Sequence, residues 1–384
     1  MPASRVLMTE DHVKLRILLI GGFPAAQGRT IYGGQVAACT SLLESSFAER
    51  HAVITLDTTQ ISNPPPLFMI RLLLAGKRLV QLFAIMLFRR PDAVIIFLAD
   101  GASALEKGVM ARFAKLFGAR VMVFPRAGGL IRQYFSRRWF ANLMRHTIGK
   151  SDIFLCQGLS FHKFAVRELG FLPDSAPVIP NWTASRGHLR IGERRDYLQH
   201  KDWPQILFLG WLEEFKGVFE LLEAVRLLRD GEIKFHVVLG GGGAAMSEAM
   251  NFVELHALRE FVSFAGWVDE VEKVSFLEAS QIFVLPSWSE GLPNAMIEAM
   301  SAGLACVVTK VGMIPDYAVH GRDALVVEPK DVVGVADALK TLICNRELRG
   351  SIAKNGFQLA SSNFNLENGA ELLSAAVENV CRGR

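Results

Sequence analysis

Cysteines at disulfide or metal-site spacing are missing from this sequence. The chain of 384 residues contains five cysteines, the closest two of which are 37 positions apart, and it has no Cys-x-x-Cys motif. An odd number of widely spaced cysteines argues against a disulfide framework and against a cysteine zinc site. These features fit a chain that folds in a reducing compartment, so we expect a cytoplasmic protein.

Neither a signal peptide nor an uncharged membrane span is expected from the apolar runs of the sequence. Acidic side chains precede the first apolar run, which is short and ends in two glycines, so that run predicts a buried strand. The longest apolar segment, residues 67–88, contains Arg71, Lys77 and Arg78. Each of these charges would cost about 3 kcal/mol at the centre of a bilayer. We therefore expect segment 67–88 to be a helix that either covers a sheet or lies on a membrane surface.

Charge of both signs is present, but the two halves of the chain carry it unequally. The composition is 51% hydrophobic and 21% charged, which excludes a largely disordered chain. Residues 1–180 hold 22 lysines and arginines against 11 acidic residues, whereas residues 181–384 hold 20 against 27. The excess of basic over acidic residues is greatest in residues 71–150, which hold 15 basic and three acidic residues. This asymmetry predicts two domains, the first of which faces nucleic acid, acidic lipid or a phosphorylated substrate.

Short apolar runs alternate with helical patterns along the whole chain, which predicts parallel sheets covered by helices. A strand is expected at residues 176–179, and the expected helices include residues 35–47, 67–88, 132–148, 294–301 and 367–380. The alternation breaks at Ile179-Pro180-Asn181-Trp182, before a polar, arginine-rich stretch at residues 185–202, so we place a domain boundary there. The predicted units are residues 1–180, residues 181–364 and a final helix at residues 365–384.

Standard phosphate-binding motifs do not occur in the sequence. Gly149-Lys150-Ser151 lacks the first glycine of a Walker A loop, and no Gly-x-Gly-x-x-Gly follows the first predicted strand. A run of four glycines, residues 240–243, follows another predicted strand. This run allows either a simple turn or the close approach of a ligand to the backbone.

The most specific segment is residues 285–303, in which a strand runs into a Gly-Leu-Pro turn and a helix begins at Asn294. Backbone N–H groups in such a turn, at the positive end of the helix dipole, favour a diphosphate. Glu290 lies before the helix and Glu298 lies inside it. Eight helical residues span about 12 Å, whereas the two carboxylates of a glycoside hydrolase are about 5–9.5 Å apart. The spacing therefore disfavours hydrolysis, and both glutamates could also be ordinary surface residues.

Residues 290–303 resemble the Glu-x7-Glu signature of retaining glycosyltransferases, specifically glycosyltransferase family 4. Motifs similar to those of the family occur in order at Phe208–Leu212 with Lys216-Gly217, at Val262–Val268, at Val308–Asp316 and in the linker Val178–Asn181. The resemblance covers about residues 178–345, and the first half agrees mainly in pattern and in Gly33-Gly34 before a helix. It implies an α/β chain of the GT-B fold, with two Rossmann-like domains that face each other across a cleft. As in relatives, the final helix can then pack back on the first, acceptor-binding domain.

The resemblance implies a nucleotide-sugar donor that is held by the second domain. Glu290 is then a catalytic residue that contacts the transferred sugar, and Glu298 contacts the ribose. Lys216, the other catalytic candidate, pairs with the diphosphate as the nucleotide leaves, which fixed positive groups can favour without a metal. Further donor-binding candidates are Gly210, Trp211, Gly241, Gly291 and Leu292. The sequence has no Asp-x-Asp motif, in agreement with a reaction that needs neither metal nor cofactor.

Two positions depart from the family pattern. Trp211 replaces an arginine, so one of two expected phosphate cations is missing or comes from elsewhere in the chain. Arg126 lies roughly where the family often has a histidine, and it either binds the donor phosphate or an anionic acceptor or is a solvated loop residue. Gly33 and Gly34 are the remaining candidates for contact with the acceptor or a phosphate.

The sequence therefore predicts a retaining, metal-independent glycosyltransferase of the hexosyltransferase type. The expected donor is a nucleotide-sugar, with UDP as the first assumption. The expected acceptor is a lipid-linked or polysaccharide intermediate of cell-envelope glycan or lipopolysaccharide synthesis. The basic first half and segment 67–88 favour peripheral attachment to the anionic inner face of the membrane over binding of nucleic acid. The alternatives are a nucleotide-sugar 2-epimerase of the same fold and a non-catalytic module that binds a nucleotide-sugar or an anionic surface.

Overall fold

Two parallel sheets organise the chain. The computed structural model describes residues 14–24, 33–59, 66–199 and 201–383, so the acidic N-terminal segment lies outside the described residues. The first sheet has the order β2-β1-β3-β4-β5, and its strands are β1 Arg16–Gly21, β2 Ala52–Asp57, β3 Ala93–Leu98, β4 Arg120–Pro125 and β5 Ile153–Phe154. The second sheet has the order β11-β10-β9-β6-β7-β8, and its strands are β6 Gln205–Leu209, β7 His236–Gly240, β8 Val262–Gly266, β9 Ile282–Leu285, β10 Ala305–Thr309 and β11 Leu325–Val327.

Helices cover both faces of each sheet. Those before the linker are α1 Gly34–Leu43, α2 Ser46–Arg50, α3 Phe68–Phe88, α4 Ala102–Leu116, α5 Gly129–Ser136, α6 Arg138–His146 and α7 Leu159–Phe164, which continues as a π-helix over Ala165–Leu169. The later ones are α8 Arg186–Arg194, α9 Val218–Asp230, α10 Met246–Leu255, α11 Glu270–Ala279, α12 Asn294–Ser301, α13 Ile314–Tyr317, α14 Val332–Cys344, α15 Arg346–Asn363 and α16 Leu366–Arg382. Central strands such as β3 and β10 are buried along their whole length, which explains their uninterrupted apolar sequences. The predicted α/β fold with two Rossmann-like domains is confirmed.

Several predictions of local structure were wrong. The helix predicted at residues 35–47 breaks at Ser45, because the Ser45 Oγ accepts a hydrogen bond from the Phe47 N–H and caps a new helix, α2. The helix predicted at residues 132–148 breaks at Arg137, which has an extended backbone. Residues 176–179 form no regular strand, since Val178 makes an isolated bridge to Cys156. The polar stretch after the linker contains helix α8.

The chain passes between the two domains at two neighbouring places. Trp182, directly after the linker, is buried in the first domain and donates its indole N–H to the carbonyl of Ala38 at 3.0 Å. Two residues later, the Ala184 N–H donates to the Phe364 carbonyl at 3.0 Å. Helix α16 then packs on the first domain, where its buried face shares an apolar cluster with strand β1. The buried hydrophobic residues of that face are Ala370, Leu373 and Val377.

Helix α3 covers the first sheet only along one narrow side and leaves most of its apolar surface exposed. It buries Leu82 and Met86, whereas Phe68 and Leu73 are 71% and 72% exposed. Exposed apolar residues of α4 and α6 lie on the same side of the first sheet and include Val109, Leu116, Trp139 and Leu143. No helix among the described residues has the length and hydropathy of a membrane span. The interpretation of segment 67–88 as a buried covering helix is therefore wrong for most of its surface.

Candidate active site

A cavity of about 660 Å³ lies between the domains, beyond the carboxyl ends of strands from both sheets. Open parallel sheets bind their ligands at this edge. The cavity is lined by every site candidate of the sequence analysis, which are Gly33, Gly34, Arg126, Gly210, Trp211, Lys216, Gly241, Glu290, Gly291, Leu292 and Glu298. Within the described residues, no three His, Cys, Asp or Glu side chains are grouped so that they could hold a metal ion.

A close ion pair in the cavity joins Lys216 and Glu290. Lys216 Nζ lies 2.7 Å from Glu290 Oε1, and the two side chains are 19% and 9% exposed. The Ser287 hydroxyl donates to the same carboxylate oxygen at 2.7 Å. Gly217 follows Lys216 with a φ of +75°, and a side chain there would collide with the carbonyl of Pro286. Glycine therefore lets the loop after β6 pack against the loop after β9, and this packing places the Lys216 ammonium next to the Glu290 carboxylate.

Glu298 forms a second ion pair, with a residue that the sequence analysis missed. Lys273 Nζ lies 3.2 Å from Glu298 Oε2 and 2.7 Å from Glu270 Oε1. Burial alone would lower the pKa of Lys273, but the carboxylates of Glu298 and Glu270 outweigh burial and raise that pKa. Lys273 lies on α11, whose start is fixed by a capping box between Asp269 and Glu272. This Asp-x-x-Glu pattern could have located the helix, but it contains no signal that points to Glu298.

A series of hydrogen bonds between amide groups connects the turn before α12 with the amino end of α1. Gln157 donates to the side-chain oxygen of Asn181 at 2.6 Å. Asn181 in turn donates to the Leu292 carbonyl and to the Asn294 side chain, both at 2.7 Å. Asn294 then donates to the Gly34 carbonyl at 3.1 Å. These hydrogen bonds connect the walls that the two domains contribute to the cavity through the linker.

Glycines and tryptophans shape the wall that the second domain contributes. Gly241 has a φ of +142°, and a side chain there would collide with the Gly210 carbonyl, so the glycine run after β7 allows two loops to touch. Trp211 packs against Trp267 with ring centres 5.2 Å apart. This part of the wall is therefore aromatic, and Lys216 and Lys273 are the cations that the second domain directs into the cavity among the described residues.

Arg126 follows β4 directly, but its side chain turns back into the first domain. The guanidinium carbon lies 4.9 Å from the ring centre of Phe124, 5.1 Å from that of Trp182 and 5.9 Å from that of Phe97. Burial lowers the pKa of Arg126 to about 10, which still leaves it charged at neutral pH. Arg126 is therefore not a solvated loop residue.

Sequence comparisons place the chain among known proteins. Residues 191–359 match the family model for glycosyl transferases group 1. The chain is 23% identical over 289 residues to TuaC, a candidate teichuronic acid biosynthesis glycosyltransferase of Bacillus subtilis, with 74% of this chain and 69% of that protein covered. It is 27% identical over 190 residues to the lipopolysaccharide core biosynthesis glycosyltransferase LpsE of Rhizobium meliloti, with 50% of this chain and 54% of that protein covered. Most such relatives are matched over about half of their own length or less.

Structural comparisons extend over nearly the whole chain. Sucrose-phosphate synthase from Thermosynechococcus elongatus has a TM-score of 0.75 at 17% identity, with 97% of this chain and 100% of that chain covered. Anabaena HepE, solved in complex with UDP, has a TM-score of 0.67 at 14% identity, with 96% and 100% covered. At these identities, the likeness shows the fold alone. The chain therefore has the GT-B fold of glycosyltransferases, and residues 191–359 of its second domain carry a glycosyl transferases group 1 sequence.

Proposed function

We propose that the protein is a retaining, metal-independent glycosyltransferase that moves a sugar from a nucleotide-sugar to an acceptor hydroxyl. One observation carries this proposal. The cleft between the domains holds the Lys216–Glu290 ion pair at 2.7 Å, on the same cavity as the Lys273–Glu298 pair. The family match over residues 191–359 supports this class of reaction.

In the proposed reaction, positive groups of the second domain favour departure of the nucleotide. The Lys216 ammonium faces the diphosphate and offsets the negative charge that develops on it. Backbone N–H groups at Gly291, Leu292 and the amino end of α12 add donors to the same oxygens. The leaving phosphate oxygen takes the proton of the acceptor hydroxyl on the same face of the sugar, so no side chain becomes covalently attached. Trapping of a glycosyl group on any side chain would contradict this step.

The two glutamates have different proposed roles because their surroundings differ. Glu290 Oε1 already accepts from Lys216 and Ser287, so Oε2 is the oxygen that holds a hydroxyl of the transferred sugar. Glu298 accepts hydrogen bonds from the ribose hydroxyls, and Lys273 keeps its carboxylate charged and oriented toward the cavity. The donor is proposed to be a UDP-sugar, since HepE, which shares the fold, was solved with UDP and with UDP-glucose.

The exposed apolar surface of the first domain supports an acceptor that is attached to a membrane. We propose that α3 lies on the anionic inner face of the membrane, with Arg71 and Lys77 as exposed charges. Arg78 does not contribute to this surface, because its guanidinium lies 3.1 Å from Glu106 and both side chains are mostly buried. The names of TuaC and LpsE support an intermediate of cell-envelope glycan synthesis as the acceptor.

The proposed function is tested by incubating the whole chain with UDP-, GDP-, ADP- and dTDP-sugars and a membrane lipid extract. Release of nucleotide together with a labelled lipid or glycan is the expected result. An isomerised donor without acceptor would identify an epimerase, and binding without turnover would identify a non-catalytic module. Glu290→Gln should abolish transfer without loss of folding, whereas Glu328→Gln, which changes an exposed glutamate of the same domain, should not. Normal transfer by Glu290→Gln would contradict the assigned site.

A further inference from the structure

Within the part of the chain that the structure describes, the guanidinium of Arg126 is a buried cation without a polar partner. Neither Nη1 nor Nη2 has a hydrogen-bond acceptor among the described residues. The rings of Phe124 and Trp182 attract the cation, but they do not replace the hydrogen bonds that its N–H groups make in water. Arg126 is a lining residue of the cavity, and a guanidinium that is desolvated beside a binding cavity calls for an anion as its partner.

Other charged groups of the cavity do not neutralise Arg126. The ammonium groups of Lys216 and Lys273 are each paired with a glutamate, whereas Arg126 has no ion pair among the described residues. Cys39 is the titratable neighbour that acts on Arg126, and burial raises the pKa of the Cys39 thiol to about 12. The thiol is thus neutral near pH 7, and this part of the cavity keeps its positive charge.

The amino end of α1 adds positive potential on the same wall. Its N-cap residue, Gly33, offers no side chain to the first N–H groups of the helix. The Gln35 side chain has a buried amide nitrogen, Nε2, without a hydrogen-bond partner in the part of the chain that is described. Gln35 and Arg126 both line the cavity. Two unpaired side-chain donor groups and a helix dipole therefore act on one region of the first domain.

We propose that Arg126, assisted by Gln35, binds a carboxylate or phosphate group that is carried by the transferred sugar or by the acceptor. This inference rests on the proposed transferase function and names the class of its substrate. The two N–H groups at the end of a guanidinium match the paired oxygens of a carboxylate or a phosphate.

The position of Arg126 separates this anion from the diphosphate of the donor. The Arg126 backbone carbonyl lies against Gly291, where an added Cβ would be 3.1 Å from the oxygen, and Gly291 follows the glutamate that is assigned to the sugar. The guanidinium itself lies in the first domain, between Phe124 and Trp182. Lys216, which is assigned to the diphosphate, projects from the second domain. The anion therefore belongs to the sugar or acceptor side of the reaction.

Calorimetric titration of the whole chain and three variants tests the proposal. Arg126→Met removes the charge at similar volume, and Arg126→Lys keeps the charge but not the paired N–H groups. Arg167→Met is the control, because Arg167 is an exposed arginine of the same domain. UDP, UDP-glucose and UDP-glucuronic acid are titrated into each protein. Inorganic phosphate and glucuronic acid are then titrated into each protein after it has been saturated with UDP.

Unchanged affinity for UDP is expected in all variants. If the transferred sugar carries the charge, the wild type binds UDP-glucuronic acid more tightly than UDP-glucose by at least about tenfold, and Arg126→Met loses this preference. If the acceptor carries the charge, phosphate or glucuronic acid binds the UDP-saturated wild type at least about tenfold more tightly than UDP-saturated Arg126→Met. In either case, Arg126→Lys should bind with intermediate affinity and Arg167→Met like the wild type.

Equal affinities of the wild type and Arg126→Met for every anion would overturn the proposal. A loss of UDP affinity in Arg126→Met would also overturn it, since the guanidinium would then serve the diphosphate. Thermal unfolding without ligand gives an independent readout, because removing an unpaired buried charge should leave Tm unchanged or raise it. A lower Tm for Arg126→Met would mean that Arg126 stabilises the fold through packing, which would contradict its role in binding an anion. UDP, GDP, ADP and dTDP are titrated separately into the wild type, and if all four fail to bind, the proposed function fails instead.

Discussion

Replacing Lys216 by methionine should separate the chemical role of its charge from its role in stability. The variant leaves the Glu290 carboxylate, which is 9% exposed, with the Ser287 hydroxyl as its remaining described donor. Loss of one partner from a fully buried ion pair costs about 3–5 kcal/mol. Because the Lys216 side chain is 19% exposed and water can reach the site, we expect the free energy of unfolding to fall by about 2 kcal/mol.

Turnover should fall further than stability. A fixed positive group that acts on the charge of a transition state contributes about 2.7–4 kcal/mol, so kcat should drop by about 10²- to 10³-fold. The KM for the donor should rise less than kcat falls, because the charge on the diphosphate grows as the nucleotide leaves. Nucleotide release gives kcat and KM, and urea unfolding of the same preparations gives the free energy of unfolding.

Lys340→Met is the matched control for this experiment, because Lys340 is an exposed lysine of the second domain. It should leave both kcat and the free energy of unfolding near their wild-type values. A Lys216→Met enzyme that retains kcat within about threefold of the wild type would refute the reasoning. In that case, another cation would have to stabilise the leaving diphosphate.

Further predictions concern donor affinity, the aromatic wall, acid stability and membrane binding. Glu298→Ala should weaken binding of the donor nucleotide in calorimetry by about 1–3 kcal/mol, because the ribose loses its acceptor; unchanged affinity would remove Glu298 from the site. Trp211→Arg should keep or increase turnover, since it adds a cation near the diphosphate, and a collapse of kcat would show that the indole is required. Burial lowers the pKa of His188, against the opposing effect of Glu298. The contribution of neutral His188 to stability is therefore complete above the unfolded pKa of about 6.5 and is lost as the pH falls through the folded pKa. In urea unfolding, His188→Gln should therefore lose less stability than the wild type between about pH 7 and pH 5. Equal losses in the two proteins would contradict this. Replacing Arg71 and Lys77 by glutamine should weaken salt-sensitive binding to anionic vesicles by about 1 kcal/mol for each charge, and equal recovery of both proteins with vesicles at low salt would disprove membrane attachment through α3.

Local and contiguous patterns account for the features that could be predicted from the sequence. The helix predicted at residues 294–301 has the same bounds in the structure, because the strand, turn and helix of this segment follow one another without interruption. The order of several such segments also predicted the GT-B fold. Each of these segments is identified from a few consecutive residues, so its prediction does not depend on tertiary contacts.

Contacts between distant residues could not be predicted in the same way. Asn294 reaches Gly34 across 260 positions of the chain, and neither residue has a local pattern that names the other. Lys273 lies 25 positions before Glu298 and has no local pattern that points to it, so their ion pair is defined only in the folded chain. For Arg78, the apolar run alone could not show that the side chain turns inward to Glu106. Side-chain direction at such positions depends on which elements pack together.

The two neighbouring crossings between the domains make the second domain an insertion within the first. Helix α16 completes the first domain, so a chain cut after residue 364 would expose the apolar surface that Ala370, Leu373 and Val377 cover. During synthesis, the first domain cannot finish folding until these last residues emerge, and the second domain can fold before it. The hydrogen bond between Ala184 and Phe364 joins the two connecting segments, so any movement of one domain relative to the other has to bend both segments together. A double connection of this kind permits opening and closing of the cleft while it opposes twisting of one domain against the other.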